Sequence, residues 1–285
     1  MLPGVSPIKA ALSCAAFCIV ALVVAGVSGC AGVDRFGGSR QAVIEWGRER
    51  GFEPDQLLVG RFRLLSLQRL DPARRAGILN VYVEGDGAAW PTPYHPPRDP
   101  TPLRPVALAL ASVDPAPAVA YLGRPCQYLD AFELAGCSSG YWTELRFAPE
   151  VVAAYMTLLD RLKLASGARS LRLFGHSGGG VLAALLAARR DDVVQLVTVA
   201  APLDVAEWTA WHKATPLRGS LDPAAGAPMP LPPATHFVGG RDSVVPPQLV
   251  AGFASRSGGR LREVPEFDHQ CCWSRDWPRL LEEIR

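Results

Sequence analysis

The sequence predicts an α/β domain with a mostly parallel central sheet and helices on both faces, and three observations predict it. Strand and helix patterns alternate from Tyr141 to Val199: a helical stretch, a short apolar strand, a second helical stretch and another buried strand. That order makes parallel strands joined by crossover helices. Glycine-bearing loops at 84–89 and 239–246 each follow directly on an apolar strand pattern, which sets them at the sheet edge where α/β proteins build their sites. Finally, the 285 residues are 49% hydrophobic with a formal net charge of only +2. Such a chain can bury one medium-sized core. It shows no basic stripe, so nucleic acid and strongly acidic partners are not expected.

The first 29 residues read as a leader. Residues 10–28 are almost unbroken in their apolar character and follow a single Lys9, a length that suits a signal segment or a membrane span equally. The next residues separate the two. Val27-Ser28-Gly29-Cys30 resembles a bacterial lipobox, whose small residues admit the signal peptidase and whose cysteine thiol takes diacylglycerol. The resemblance implies a signal peptide over 1–29, a mature chain that starts at a lipidated Cys30, and a membrane partner held through that lipid. Ala31 in the following position then favours the outer membrane of a bacterial envelope. An ordinary N-terminal anchor with an incidental cysteine is the alternative. Residues 30–52 read as a tether that ends in an amphipathic helix, with Val43, Ile44 and Trp46 resting on the domain that occupies 53–285.

Within that domain the first expected strand is Phe62 to Leu70, from its partial alternation, and the second is Ile78 to Val83. The second runs into Glu84-Gly85-Asp86-Gly87. Residues 90–105 are rich in proline and form a loop over the sheet edge; Val106 to Ser112 begin a short helix after Pro105, and Ala118 to Leu122 make a brief buried strand. Tyr141 to Leu164 hold a long helix with Pro149 in its first turn and Val151, Val152, Tyr155, Leu158, Leu159 and Leu162 at helical spacing. Ser170 to Phe174 and Val193 to Val199 follow as strands, then Thr235 to Val238 and Arg262 to Val264.

The most informative stretch is Gly175-His176-Ser177-Gly178-Gly179, set between the strand ending at Phe174 and an alanine- and leucine-rich helix. A serine in a Gly-x-Ser-x-Gly turn at that junction is lifted clear of the sheet, and the helix that begins there points unpaired N–H groups beside it. Neither a GxGxxG nor a GKS/GKT phosphate loop is present. Here the sequence resembles the α/β-hydrolase family.

The resemblance covers about residues 60–280 and implies an α/β-hydrolase fold in which 203–233 forms a short cap. It implies a nucleophile, an acid and a base in that chain order: Ser177, Asp242 in the loop Gly239-Gly240-Arg241-Asp242, and His269 after the last strand. Asp204 is the fallback acid. His176 adjoins the serine and is expected to turn away from it and pack under the sheet. An oxyanion would be held by the Gly178 N–H and by a second donor from the 84–87 loop, either Asp86 or Gly87, since Glu84 stands where the family commonly has histidine. The activity implied is cleavage of a carboxylic ester or thioester through an acyl-enzyme, with a small-molecule or lipid acyl substrate and no metal or organic cofactor. A peptidase on the same three residues, or a surface-anchored binding lipoprotein that keeps the fold without turnover, are the alternatives.

Once Cys14 and Cys18 leave with the leader and Cys30 takes lipid, Cys126, Cys137, Cys271 and Cys272 remain. An even set in an exported protein reads as disulfides. The favoured pairing joins Cys126 to Cys137 and Cys271 to Cys272, with cross-pairing as the alternative. A zinc site from His269, Cys271 and Cys272 has no common ligand spacing.

Overall fold

The computed structural model describes residues 36–71, 73, 76–88 and 95–284. The leader, Cys30 and the loop residues 89–94 lie outside them. One compact unit begins at Phe36. Its first helix, α1 (Arg40–Arg48), is capped by Ser39, whose Oγ accepts the Ala42 N–H at 3.1 Å. Val43 is fully buried in a cluster with Phe52 and Leu67, and Trp46 stacks on Phe36 with ring centroids 4.0 Å apart. The amphipathic stretch therefore packs on the sheet through the face that its sequence indicates.

Eight strands form one sheet: β1 (Glu53–Val59), β2 (Phe62–Leu70), β3 (Ile78–Val83), β4 (Ala118–Leu122), β5 (Ser170–His176), β6 (Val193–Val199), β7 (Ala234–Gly239) and β8 (Arg260–Val264). Their spatial order is β1-β2-β4-β3-β5-β6-β7-β8. β2 is antiparallel to both of its neighbours, and every pair from β4 to β8 is parallel. β1 has no counterpart in the sequence reading. Its segment, EPDQLLV, carries Pro54 and two acids, and only the edge position, paired to β2 alone, accommodates that composition.

The side chains of the central strands alternate between two cores, as strand geometry requires. Leu79, Val81, Leu171 and Leu173 face α4 (Pro149–Ser166) and α5 (Gly178–Ala187). Tyr82 and Phe174 face the opposite layer, formed by α1, α2 (Val106–Ser112) and α8 (Trp273–Glu282). There Tyr82 stacks on Phe174 at 4.3 Å and Trp277 meets both edge-on. Complete burial of such side chains contributes about 1.5–3 kcal/mol each. Every residue of α5 is buried, which is why this helix is apolar all round rather than amphipathic.

The unit also holds α3 (Ala131–Ala135), α6 (Val205–Trp211), α7 (Pro247–Ser257) and a 3-10 turn at Ser139–Trp142. The segment 203–233 contains α6 and otherwise neither helix nor strand, and it lies along residues 144–147, where Ser220 Oγ donates to the Glu144 carbonyl at 2.6 Å. Cys126 and Cys137 are disulfide-bonded, with Cα atoms 5.8 Å apart. Cys271 and Cys272 stand side by side across a cis peptide bond, their sulfurs turned toward each other. Among the described residues no helix is long and apolar enough to cross a membrane.

Candidate active site

Three strand ends meet at one edge of the sheet. β5 leads into Ser177, which has φ +51° and ψ −128°, a backbone conformation that costs a non-glycine residue about 1–3 kcal/mol. The N–H of Ser177 donates to the Val199 carbonyl at 2.9 Å, which ties the turn to β6. Close packing holds it from below. A Cβ on Gly179 would stand 2.2 Å from the Val83 carbonyl oxygen, so only glycine lets the first turn of α5 approach the end of β3.

Asp242 follows β7. One carboxylate oxygen, Oδ1, accepts the N–H groups of Val244 and Val245, both at 2.8 Å. The other, Oδ2, lies 2.8 Å from Nδ1 of His269, and the side chain of Asp242 is wholly buried. A carboxylate in this position accepts, so Nδ1 of His269 carries the proton and Nε2 is left as an acceptor. Nε2 stands 3.1 Å from Ser177 Oγ. The structure thus brings together Ser177, His269 and Asp242 in one line of hydrogen bonds. Asp204, by contrast, caps α6 through the Glu207 N–H and pairs with Arg256 at 3.2 Å.

The loop that carries His269 is folded on Asp268, whose Oδ1 accepts the N–H groups of Gln270 at 2.8 Å and Cys271 at 2.7 Å. It is also fastened from the side of Ser177, and here the structure corrects the sequence reading. His176 does not pack under the sheet. Its Nε2 donates to the carbonyl of His269 at 2.9 Å, and the two imidazole rings are 5.1 Å apart. Burial first, and then the neighbouring His269, push the His176 imidazole down to about 3, so it stays neutral.

The 84–87 loop runs beside Ser177. A Cβ at Gly85 would lie 3.3 Å from that of Ser177, and a Cβ at Gly178 would meet the Asp86 carboxylate at 2.1 Å. The side chain of Asp86 therefore lies against the residue that follows the serine. Two arginines hold it: Nη1 of Arg124 at 3.1 Å from Oδ1, and Nη1 of Arg146 at 2.8 Å from Oδ2. Burial alone would raise this carboxyl, but Arg146 and Arg124 outweigh it and keep the group below the usual carboxylate range. Glu84 takes the other side of the loop. Its Oε1 accepts the N–H groups of Gly85 at 2.9 Å and Ala107 at 3.4 Å, and burial pushes its carboxyl up to about 7. The N–H of Gly178, first in its helix, has no intrahelical carbonyl to bond.

Ser177 and His269 open onto a cavity of about 240 Å³ whose walls include Trp142, Arg146, Trp208 and Val244. Trp208 of α6 is fixed there by its Nε1–H, which donates to the Val244 carbonyl at 2.8 Å. A second cavity of about 690 Å³, between 143–146 and 208–217, adjoins the first and shares Arg146 and Trp208 with it. The sequence reading missed the roles of Arg124, Arg146 and Trp208, which reach the site from segments with no local signal. Glu84 was noticed for its position; its burial follows from the apolar strand that it ends.

No protein-family model matches the chain, and no curated protein matches it in sequence. Solved structures do. The chain is similar to Est1E from Butyrivibrio proteoclasticus at 12% identity and a TM-score of 0.55, over 81% of this chain and 98% of that one. It is similar to the Pyrococcus furiosus esterase Pf2001 at 13% identity and a TM-score of 0.56, over 83% and 91%. An alpha-beta serine hydrolase homologue from Coxiella burnetii matches at 14% identity and a TM-score of 0.53, over 81% and 95%. At these identities the likeness is one of backbone architecture. Together with the strand order and the strand-turn-helix at Ser177, it gives this chain the α/β-hydrolase fold.

Proposed function

We propose that the chain is a serine hydrolase that cleaves a carboxylic ester through an acyl-enzyme. The observation that carries this reading is the continuous line from Asp242 Oδ2 through His269 to Ser177 Oγ, at 2.8 and 3.1 Å. His269 Nε2 takes the hydroxyl proton as Oγ attacks the carbonyl carbon, and Asp242 stabilises the imidazolium that results. The oxyanion is held by the Gly178 N–H and by an N–H of Asp86 or Gly87, from the loop packed on that same turn. His269 then gives its proton to the departing alcohol. Water, activated by His269 in the same way, releases the acid. One of the structural neighbours, Pf2001 from Pyrococcus furiosus, is named as an esterase, which supports an ester over the thioester or peptide alternatives.

The lipobox resemblance at residues 27–30 supports an anchored enzyme, lipidated at Cys30 and held at the bacterial envelope. In cells fed labelled palmitate the full chain should take up label and Cys30→Ala should not; equal incorporation by both would refute the anchor.

A fluorophosphonate probe tests the chemistry. The full chain in detergent is expected to carry the adduct on Ser177 by peptide mass spectrometry, and Ser177→Ala and His269→Ala are expected to carry none. A folded, unlabelled wild-type protein would overturn the reading.

A further inference from the structure

Among the described residues, the guanidinium of Arg146 is not fully partnered. Its side chain is only 9% exposed, yet it forms part of the wall of both cavities. Its Nε donates to the Thr143 carbonyl at 2.7 Å and one Nη to Asp86 at 2.8 Å. The second, Nη2, has no hydrogen-bond partner among the described residues, although a guanidinium offers five N–H donors in a fixed plane.

The surrounding charge points the same way. Asp86 is shared between Arg146 and Arg124, so one carboxylate faces two guanidiniums. Arg104 joins Arg146 in the wall of the smaller cavity, with Arg124 behind Asp86, and Lys213 lies in the wall of the larger one. Against these four cations stand three carboxyls: Asp86, Glu144, which the Thr143 hydroxyl at 2.5 Å helps to keep ionised, and Glu84, whose burial favours the neutral acid. A positive excess therefore sits one carboxylate away from Gly178, in a pocket walled by Trp142 and Trp208. A fixed cation in such a partly desolvated wall attracts an anion more strongly than it would in water.

We propose that Arg146, with Arg104 in the wall of the same cavity, forms a subsite for an anionic oxygen group, so that the substrate is an ester bearing a carboxylate or a phosphate a few bonds from its scissile carbonyl. This rests on the hydrolase reading above only for the word ester; the anion subsite stands on its own contacts. It excludes cationic esters and ranks neutral ones below anionic ones of equal length.

Three nitrophenyl esters of matched acyl length, ending in a methyl, a carboxylate or a phosphate, test it with the full chain in detergent. The better anionic ester is expected to exceed the methyl ester at least tenfold in kcat/KM, the scale of one hydrogen bond to a charged group, and the order of the other two tells carboxylate from phosphate. Arg146→Gln slows all three by loosening Asp86. What the subsite moves is the ratio, expected to fall to about one in Arg146→Gln and to persist in part in Arg146→Lys. A second measurement needs no turnover: quenching of tryptophan fluorescence by succinate and by phenyl phosphate, saturable in Ser177→Ala and lost in Ser177→Ala with Arg146→Gln. A wild-type ratio near one, with Ser177 still labelled by fluorophosphonate, overturns the subsite and leaves the hydrolase. Saturable, Arg146-dependent binding in a protein that never labels overturns the hydrolase and keeps the subsite. Failure of both overturns both.

Discussion

At Ser177 two opposite demands are met by its neighbours in sequence. The residue after it must be small enough for the Asp86 carboxylate to rest on its backbone, and the residue before it holds His269. His176 donates to the carbonyl of His269 at 2.9 Å, so the residue preceding Ser177 clamps the main chain of the histidine whose Nε2 faces the Ser177 hydroxyl. The clamp needs a neutral ring, because a second imidazolium 5.1 Å from His269 would oppose the charge that His269 takes up. Burial supplies that neutrality. His176→Leu should therefore fold, with a thermal midpoint near that of the wild type, yet label Ser177 about three- to tenfold more slowly, the scale of one net hydrogen bond. His176→Gln, whose amide N–H can reach the same carbonyl, should recover much of the rate. Equal rates for Leu and Gln would show that the ring only fills space.

Among the elements, those that carry local signals were legible in the sequence. The strand-turn-helix at Ser177 reads directly because the glycines around it answer a close approach within a few residues, Gly179 against the end of β3. The placement of Asp242 and His269 beside Ser177 was legible because each follows a strand at the same sheet edge, in the chain order that the resemblance implies. What failed was long-range. Arg124 and Arg146 meet Asp86 across 38 and 60 residues of chain, and an isolated arginine in a loop looks the same in sequence whether it is solvated or buried. β1 escaped because an edge strand needs only one hydrogen-bonded side and tolerates Pro54. α8 buries Trp273, Trp277, Leu280 and Leu281 at helical spacing, but Pro278, on its exposed side, reads as a breaker. His176 was misplaced for a different reason: the turn sets where the side chain starts, and the 269 carbonyl, 93 residues away, decides where it ends.

For the molecule as a whole, three buried titratable groups set how stability follows pH. Burial lowers His236 from 6.5 to about 4 where its Nδ1 meets Thr198 Oγ1, and burial with His269 lowers His176 from 6.5 to about 3. Both contribute stability that is complete above the unfolded value near 6.5 and is lost as pH falls toward their folded values. Glu84 acts in reverse: burial raises it from 4.5 to about 7, so the folded state holds a proton that the unfolded chain releases. Between pH 4.5 and 6.5 the unfolded chain thus binds two more protons on the histidines and one fewer on Glu84, a net of one. Unfolding free energy should rise by about 1.4 kcal/mol per pH unit over that window. Between 6.5 and 7 only Glu84 still titrates, and the curve should turn gently down. The lowered carboxylates, Asp86, Asp130, Glu144, Asp192 and Asp276, titrate below their ordinary values of 3.8 and 4.5 and so lie below this window. Glu84→Gln keeps an oxygen for the Gly85 and Ala107 N–H groups while removing the opposing proton. Its slope should therefore nearly double, to about 2.7 kcal/mol per pH unit, and its downturn above 6.5 should vanish. Urea titrations of both proteins at pH 4.5, 5.5, 6.5 and 7.5 measure this, and parallel curves would mean that Glu84 is already ionised in the folded protein, its charge held by the Gly85 and Ala107 N–H groups.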